Sequence, residues 1–183
     1  PSPDAPSITP TQVWELTEGL SQPESVVYDS ERNVLYVSNL AGGPDEKNGR
    51  GYIARVSTEG ELLDSLWIAG LHAPKGLDIQ DGVLYAADID ELLVIDLSNS
   101  TVTARYPAAG ATFLNDVSVH ASGDVYVTDS RTNRIYRLHD GTLQMWLEGP
   151  AIKAINGVFA ESDRLLVAAH GGDAENPGRN RYM

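Results

Sequence analysis

The sequence predicts an all-β protein, a β-propeller of four-stranded blades, on three observations. First, a strand–turn–strand phrase recurs four times. It is clearest at Leu114–Asp129, where a short apolar strand, a Ser-Gly-Asp turn and a second strand end on a carboxylate. The other copies start at Pro23-Glu24, Pro74-Lys75 and Ile155-Asn156. Second, the copies are evenly spaced: Lys75 to Asn115 is 40 residues and Asn115 to Asn156 is 41. Glu24 to Lys75 is 51, because Gly42–Arg50 is inserted. A strand-built period near 40 is the mark of propeller blades. Third, the turns between apolar runs carry Asp-Gly, Ser-Gly, Glu-Gly and Ser-Asn, which is hairpin chemistry, and no helical periodicity intervenes.

Each element follows from this frame. Residues 1–10 are rich in Pro and Ser, aperiodic, and read as a flexible leader. Residues 11–20 read as a single strand, because Trp14 and the Glu18-Gly19 ending echo Trp146 and Glu148-Gly149. A lone outer strand ahead of the first blade is what ring closure uses to pair both open ends. The first repeat predicts strands at 25–28, 34–39, 51–57 and 62–68. The second predicts 76–79, 83–88, 91–97 and 101–107, and the third 116–120, 124–129, 133–139 and 142–148. Third strands alternate, with Arg134, Tyr136 and Leu138 on one face and Ile135, Arg137 and His139 on the other. Inner strands are apolar on both faces, as stacked blades require. The fourth repeat supplies two strands, and residues 171–183 form a polar, Gly-rich tail. About three and a half blades are therefore expected within residues 11–170. Because the break falls inside a blade, the expectation is a piece of a larger ring, prone to self-association through its open ends.

Composition narrows the chemistry. The 183 residues carry 13 basic and 26 acidic side chains, a formal charge of −13. That balance argues against nucleic acid and anionic membrane as partners and is neutral to favourable for cations, while a small-molecule substrate is the partner expected of the protein. With 0 cysteines there is no disulfide and no thiolate metal site. No run approaches the roughly 18 apolar residues of a membrane span. The leader is compatible with a signal-peptide remnant, hence a periplasmic or secreted protein, although a cytoplasmic one fits the composition equally.

In a propeller the first strand of each blade lines the channel. The repeat alignment therefore stacks Glu24, Lys75, Asn115 and Asn156 around one axis. A Glu carboxylate and two Asn amides are hard oxygen donors suited to Ca²⁺ or Mg²⁺. Zn²⁺ is a weaker match, since none of the 4 His falls in this column. The competing reading of each Asn is a turn former bonded to nearby backbone. Lys75 opposes a dication, so it must lean away, pair with a carboxylate, or meet an anionic substrate. A second column, Asn39, Asp88, Asp129 and Ala169, ends the inner hairpins and reads as strand-end capping.

The motifs Leu114-Asn115-Asp116-Val117, Gly123–Asp129, Ile155-Asn156-Gly157-Val158 and Pro23-Glu24-Ser25-Val26, in this order, resemble the senescence-marker-protein/gluconolactonase family across residues 12–170. That resemblance implies a six-bladed propeller with a catalytic Ca²⁺ and a metal-dependent hydrolase acting on a lactone or related ester. It implies Glu24, Asn115 and Asn156 as metal ligands and Asp116 as a catalytic or substrate contact. It also implies a further Asp ligand one blade beyond Asn156. Lys75 matches no ligand of that family and is assigned to substrate. The alternative is a non-catalytic propeller that binds a protein or small ligand.

Overall fold

The computed structural model describes residues 9–169, so the first eight residues and the tail from 170 lie outside it. Three four-stranded antiparallel sheets and one two-stranded sheet follow each other in chain order. The first sheet comprises β1 (Pro23–Asp29), β2 (Val34–Asn39), β3 (Gly51–Ser57) and β4 (Leu62–Leu71). The second comprises β5 (Pro74–Gln80), β6 (Val83–Asp88), β7 (Glu91–Asp96) and β8 (Thr101–Pro107). The third has β9 (Leu114–Val119), β10 (Val125–Asp129), β11 (Arg134–His139) and β12 (Thr142–Glu148). The fourth pairs β13 (Ile155–Ala160) with β14 (Leu165–Ala169). Every strand pairs only with its sequence neighbours, the meander of propeller blades. Among the described residues the only helical turn is a 3₁₀ turn at Pro150–Ile152, and no helix is long and apolar enough to cross a membrane.

The expected blade strands are all present, several with the expected ends and the others shifted by up to three residues. One expectation fails. Residues 11–20 form no strand. A strand needs a ladder partner, and none of the described sheets pairs with this segment. The segment instead lies along the first blade, where the Trp14 indole N–H donates to the Thr58 carbonyl at 2.8 Å. Gly60 accommodates that ring: a Cβ there would approach it to 2.7 Å, and its φ of +88° is one that side chains rarely adopt.

Burial sits between blades. Tyr36, Ile53, Trp67 and Leu71 of the first blade meet Leu77, Leu84, Leu93 and Ile95 of the second. Tyr36 and Trp67 stack with centroids 4.6 Å apart. Ala87 and Leu92 then meet Leu114, Val117, Val127 and Tyr136. Ile135 meets Ile152, Ile155 and Val167. Each interface packs apolar faces from two blades, which is why the inner strands are apolar on both sides. The inner strands β1, β5, β9 and β13 consequently run side by side.

Candidate functional site: the channel mouth

At the head of every inner strand the ladder slips. Pro23 pairs with Asn39 and Val26 with Val37, so Glu24 and Ser25 face Ser38 alone. Lys75-Gly76, Asn115-Asp116 and Asn156-Gly157 sit in the same two-against-one arrangement. These are β-bulges, which take a residue out of the ladder and re-aim its side chain. The column expected from the repeat is thus a ring of four bulges on adjacent strands.

The close approach of these bulges follows from small residues. A Cβ on Gly76 would lie 2.6 Å from Asp116 Cα and 2.8 Å from the Asn115 carbonyl oxygen. Across the next gap, Asp116 Oδ2 accepts the Val158 N–H at 2.8 Å, while Oδ1 accepts Val117 N–H at 3.0 Å. Thr128 ties the same seam, its hydroxyl accepting from Asp116 N–H and donating to the Asn156 carbonyl. Asp116, assigned to catalysis or substrate from the sequence, therefore has both oxygens engaged by backbone and sets Asn156 relative to Asn115. Burial raises its pKa, and the two N–H bonds oppose that rise.

The polar residues of the second column cap the loops that enter the blades. Asp88, fully buried, accepts the His72 and Ala73 N–H groups. Asp129 accepts those of Thr112 and Phe113. Asn39 accepts that of Ser21. Each clasp fixes the loop leading into its own bulge. In the fourth blade Ala169 has no acceptor, and Asn133 of the third blade accepts from Ala154 N–H at 2.7 Å instead.

Against this background the leading residues are distinct. The Glu24 carboxylate and the Asn115 and Asn156 side-chain amides make no hydrogen bond to any described residue, whereas Asn39, Asp88 and Asp129 are all engaged. The turn-former reading of the two Asn requires such bonds and finds none. Asn115 is buried, and Glu24 and Asn156 are exposed. The surrounding protein raises the Glu24 pKa by burial; the nearby Lys75 charge lowers it and Asp116 adds to the rise. A carboxylate and two free amide oxygens match a hard cation in donor type. No cluster of three or more His, Cys, Asp or Glu with metal-holding geometry occurs among the described residues, so such an ion would depend on the two amides. An apolar cavity of about 300 Å³ adjoins Glu24, walled by Trp14, Leu16, Leu20, Val37 and Val56.

Lys75 is tied down inside the fold. It is 2% exposed, and its ammonium donates to the Ala73 carbonyl at 3.0 Å. It stands 4.5 Å from the Phe113 ring centroid. Burial lowers its pKa, and the charges of Asp88, Glu24 and Asp45 partly restore it. Phe113, Arg131 and Asp45 complete this corner, and sequence reasoning missed all three. The guanidinium of Arg131 lies 4.4 Å from the same ring and pairs with Asp45 at 2.7 Å. The insertion carrying Asp45 also reaches the second blade through Lys47–Asp90 at 2.6 Å. It thus straps three blades at the mouth.

No protein-family model and no curated protein matches the chain. Among solved structures it is similar to virginiamycin B lyase from Staphylococcus aureus, with TM-score 0.63 and 15% identity over 81% of this chain and 49% of that one. It is similar to a chain of the nidogen/laminin complex, with TM-score 0.69 and 18% identity over 88% and 60%. It is also similar to a streptogramin B lyase, with TM-score 0.62 and 13% identity over 91% and 56%. The chain spans about half to three-fifths of these proteins. The similarities carry the β-propeller fold, which enzymes and binding proteins share, and not the gluconolactonase family.

Proposed function

We propose that Glu24, Asn115 and Asn156 hold a divalent cation at the channel mouth, Ca²⁺ before Mg²⁺ or Zn²⁺, and that the site hydrolyses a lactone or related ester. The observation that carries the cation is the set of three oxygen donors, each in a bulge and each without a partner among the described residues. The substrate class rests on the motif resemblance. When bound, the ion supplies Lewis-acid polarisation of a carbonyl. Glu24 contributes the negative charge that holds it, and the two neutral amides orient without adding charge. Asp116 is a positioning residue, since its bond to Val158 N–H fixes the fourth bulge against the third.

A second reading, a non-catalytic propeller that binds a small ligand, is favoured by Lys75. Its charge lies within the field of Glu24 and repels a dication. Calcium-dependent unfolding separates the two. A cation bound by the folded state alone adds about 2.7 kcal/mol at a hundred times its Kd, an upward shift of roughly 5–10 °C for a chain of this size. Glu24→Gln and Asn156→Ala are expected to flatten that response and to abolish calcium-dependent lactone turnover. A wild-type melting temperature indifferent to Ca²⁺ removes the metal reading and leaves the scaffold.

A further inference from the structure

We infer that Arg131 and Lys75, set against the ring of Phe113, form a binding site for the anionic group of a ligand, a carboxylate or phosphate, and that Asp45 of the inserted strap occupies it as an internal stand-in. The inference rests on the mouth being a ligand site, in either of the readings above, but not on the cation.

The case begins with Lys75. A buried ammonium is costly unless a counter-charge and hydrogen bonds compensate it. Lys75 has one backbone carbonyl and an aromatic face, and no carboxylate of the described residues lies within ion-pair distance. Its balance comes from charges further off: Asp88, whose oxygens are bound to His72 and Ala73 N–H, then Glu24, then Asp45. Of these, Asp45 alone belongs to an inserted loop with no strand of its own. Arg131 stands at the same ring, half exposed, with a planar fork suited to carboxylate and phosphate. Asp45 accepts one hydrogen bond from that fork, at 2.7 Å. The bond from Arg131 first, and its charge second, hold the Asp45 pKa below the ordinary value, with Lys75 contributing.

Exchange of Asp45 for a ligand carboxylate conserves the local charge. A net acidic surface would otherwise disfavour an anion here, but a one-for-one exchange leaves the balance around Lys75 unchanged. Phe113 offers the ligand an apolar neighbour in the same corner, and the Asp129 clasp on its backbone N–H fixes its loop. The free amides of Asn115 and Asn156 lie on the adjoining bulges of the ring, within the same mouth.

The test is titration of the full chain with inorganic phosphate and, separately, with acetate, at constant ionic strength and with chelator present, following melting temperature and heat. The wild type is expected to bind one probe weakly. Asp45→Asn removes the internal competitor and should tighten binding about two- to fivefold, the range of an exposed ion pair. Arg131→Gln, at an exposed position that should not perturb folding, should abolish binding, as should Lys75→Met. The probe that binds more tightly sorts a carboxylate ligand from a phosphorylated one. No response to either probe in the wild type and in Asp45→Asn, or equal binding in all four proteins, overturns the inference. The Ca²⁺ response of Glu24→Gln is measured apart from this titration, so failure of the anion site and failure of the cation site are distinct results.

Discussion

Asp129 offers the most direct test of how the mouth is held. Its carboxylate is fully buried and accepts four backbone N–H bonds, from Thr112 at 2.7 Å, Phe113 at 3.0 Å, Arg131 at 2.9 Å and Thr132 at 2.8 Å. Replacement by Ala strips two loops of their acceptor at once. Leaving a fully buried donor unpaired costs about 1–3 kcal/mol. These donors lie in loops that water can reach in part, so the low end applies, and four bonds amount to about 4 kcal/mol. Against a total stability of roughly 5–15 kcal/mol, that lowers the melting temperature by about 8–16 °C. Urea and thermal unfolding, followed by circular dichroism and tryptophan fluorescence, measure it. Asp163→Ala, exposed and unbonded, is the control and should stay within about 0.5 kcal/mol. A loss below about 1 kcal/mol for Asp129→Ala would mean that water satisfies the loop amides and that the clasp does not organise the mouth.

Other perturbations probe separate parts. Gly76→Ala places a Cβ against the backbone of Asn115 and Asp116, which cannot swing aside, and should cost about 1–3 kcal/mol in denaturant unfolding; a neutral substitution would show that the ring is looser than described. Asp124 is buried, which raises its pKa, but the bonds from Arg137, His139 and Ser122 outweigh burial and hold it at about 2. A depressed carboxyl pKa stabilises the fold above the unfolded value and loses that contribution as pH falls through the folded one. Asp124→Asn should therefore be less stable than the wild type by on the order of 1–2 kcal/mol at pH 7. Urea melts from pH 7 downward should show this gap closing as pH falls from about 4 toward 2, and an unchanged gap contradicts the assignment. Lys75 has a lowered pKa, so between that value and the ordinary one of about 10.4 the unfolded chain binds more protons and stability rises with pH. Lys75→Met should match or exceed the wild type at pH 7 and lose this alkaline gain. A large destabilisation without any pH trend would mean that the ammonium is well compensated where it lies.

Much of the fold was legible because it repeats. A blade has one hydrophobic pattern, and four aligned copies located the inner strands and the two columns without any contact being known. The strand expected at 11–20 shows the limit of that method. Trp14 and Glu18-Gly19 match the fourth-strand pattern, but a strand is a relation between two segments, and the match says nothing about a partner. The bulges were also invisible, since Pro-Glu, Pro-Lys, Leu-Asn and Ile-Asn share no bulge signature and only the register reveals the slip. Phe113, Arg131 and Asp45 carry no periodic signal. Phe113 precedes the repeat phrase by one residue, Arg131 follows its end by two, and Asp45 lies in an insertion that has no counterpart in the other blades.

What separates the two columns of this ring is the hydrogen-bond account rather than residue type. Asn39 and Asn115 are the same residue, both buried and both in the first two strands of a blade. Asn39 is satisfied twice, by Ser21 N–H and by the Val37 carbonyl, and its role ends there. Asn115 sits one blade-layer nearer the axis and is bonded to nothing described. That amide has no partner among the described residues, and the bulges repeat the arrangement at Glu24 and Asn156, which are exposed. An external group finds unengaged donors and acceptors there, which is why the first column, and not the more strongly charged second one, is where ligand-dependent stability is expected.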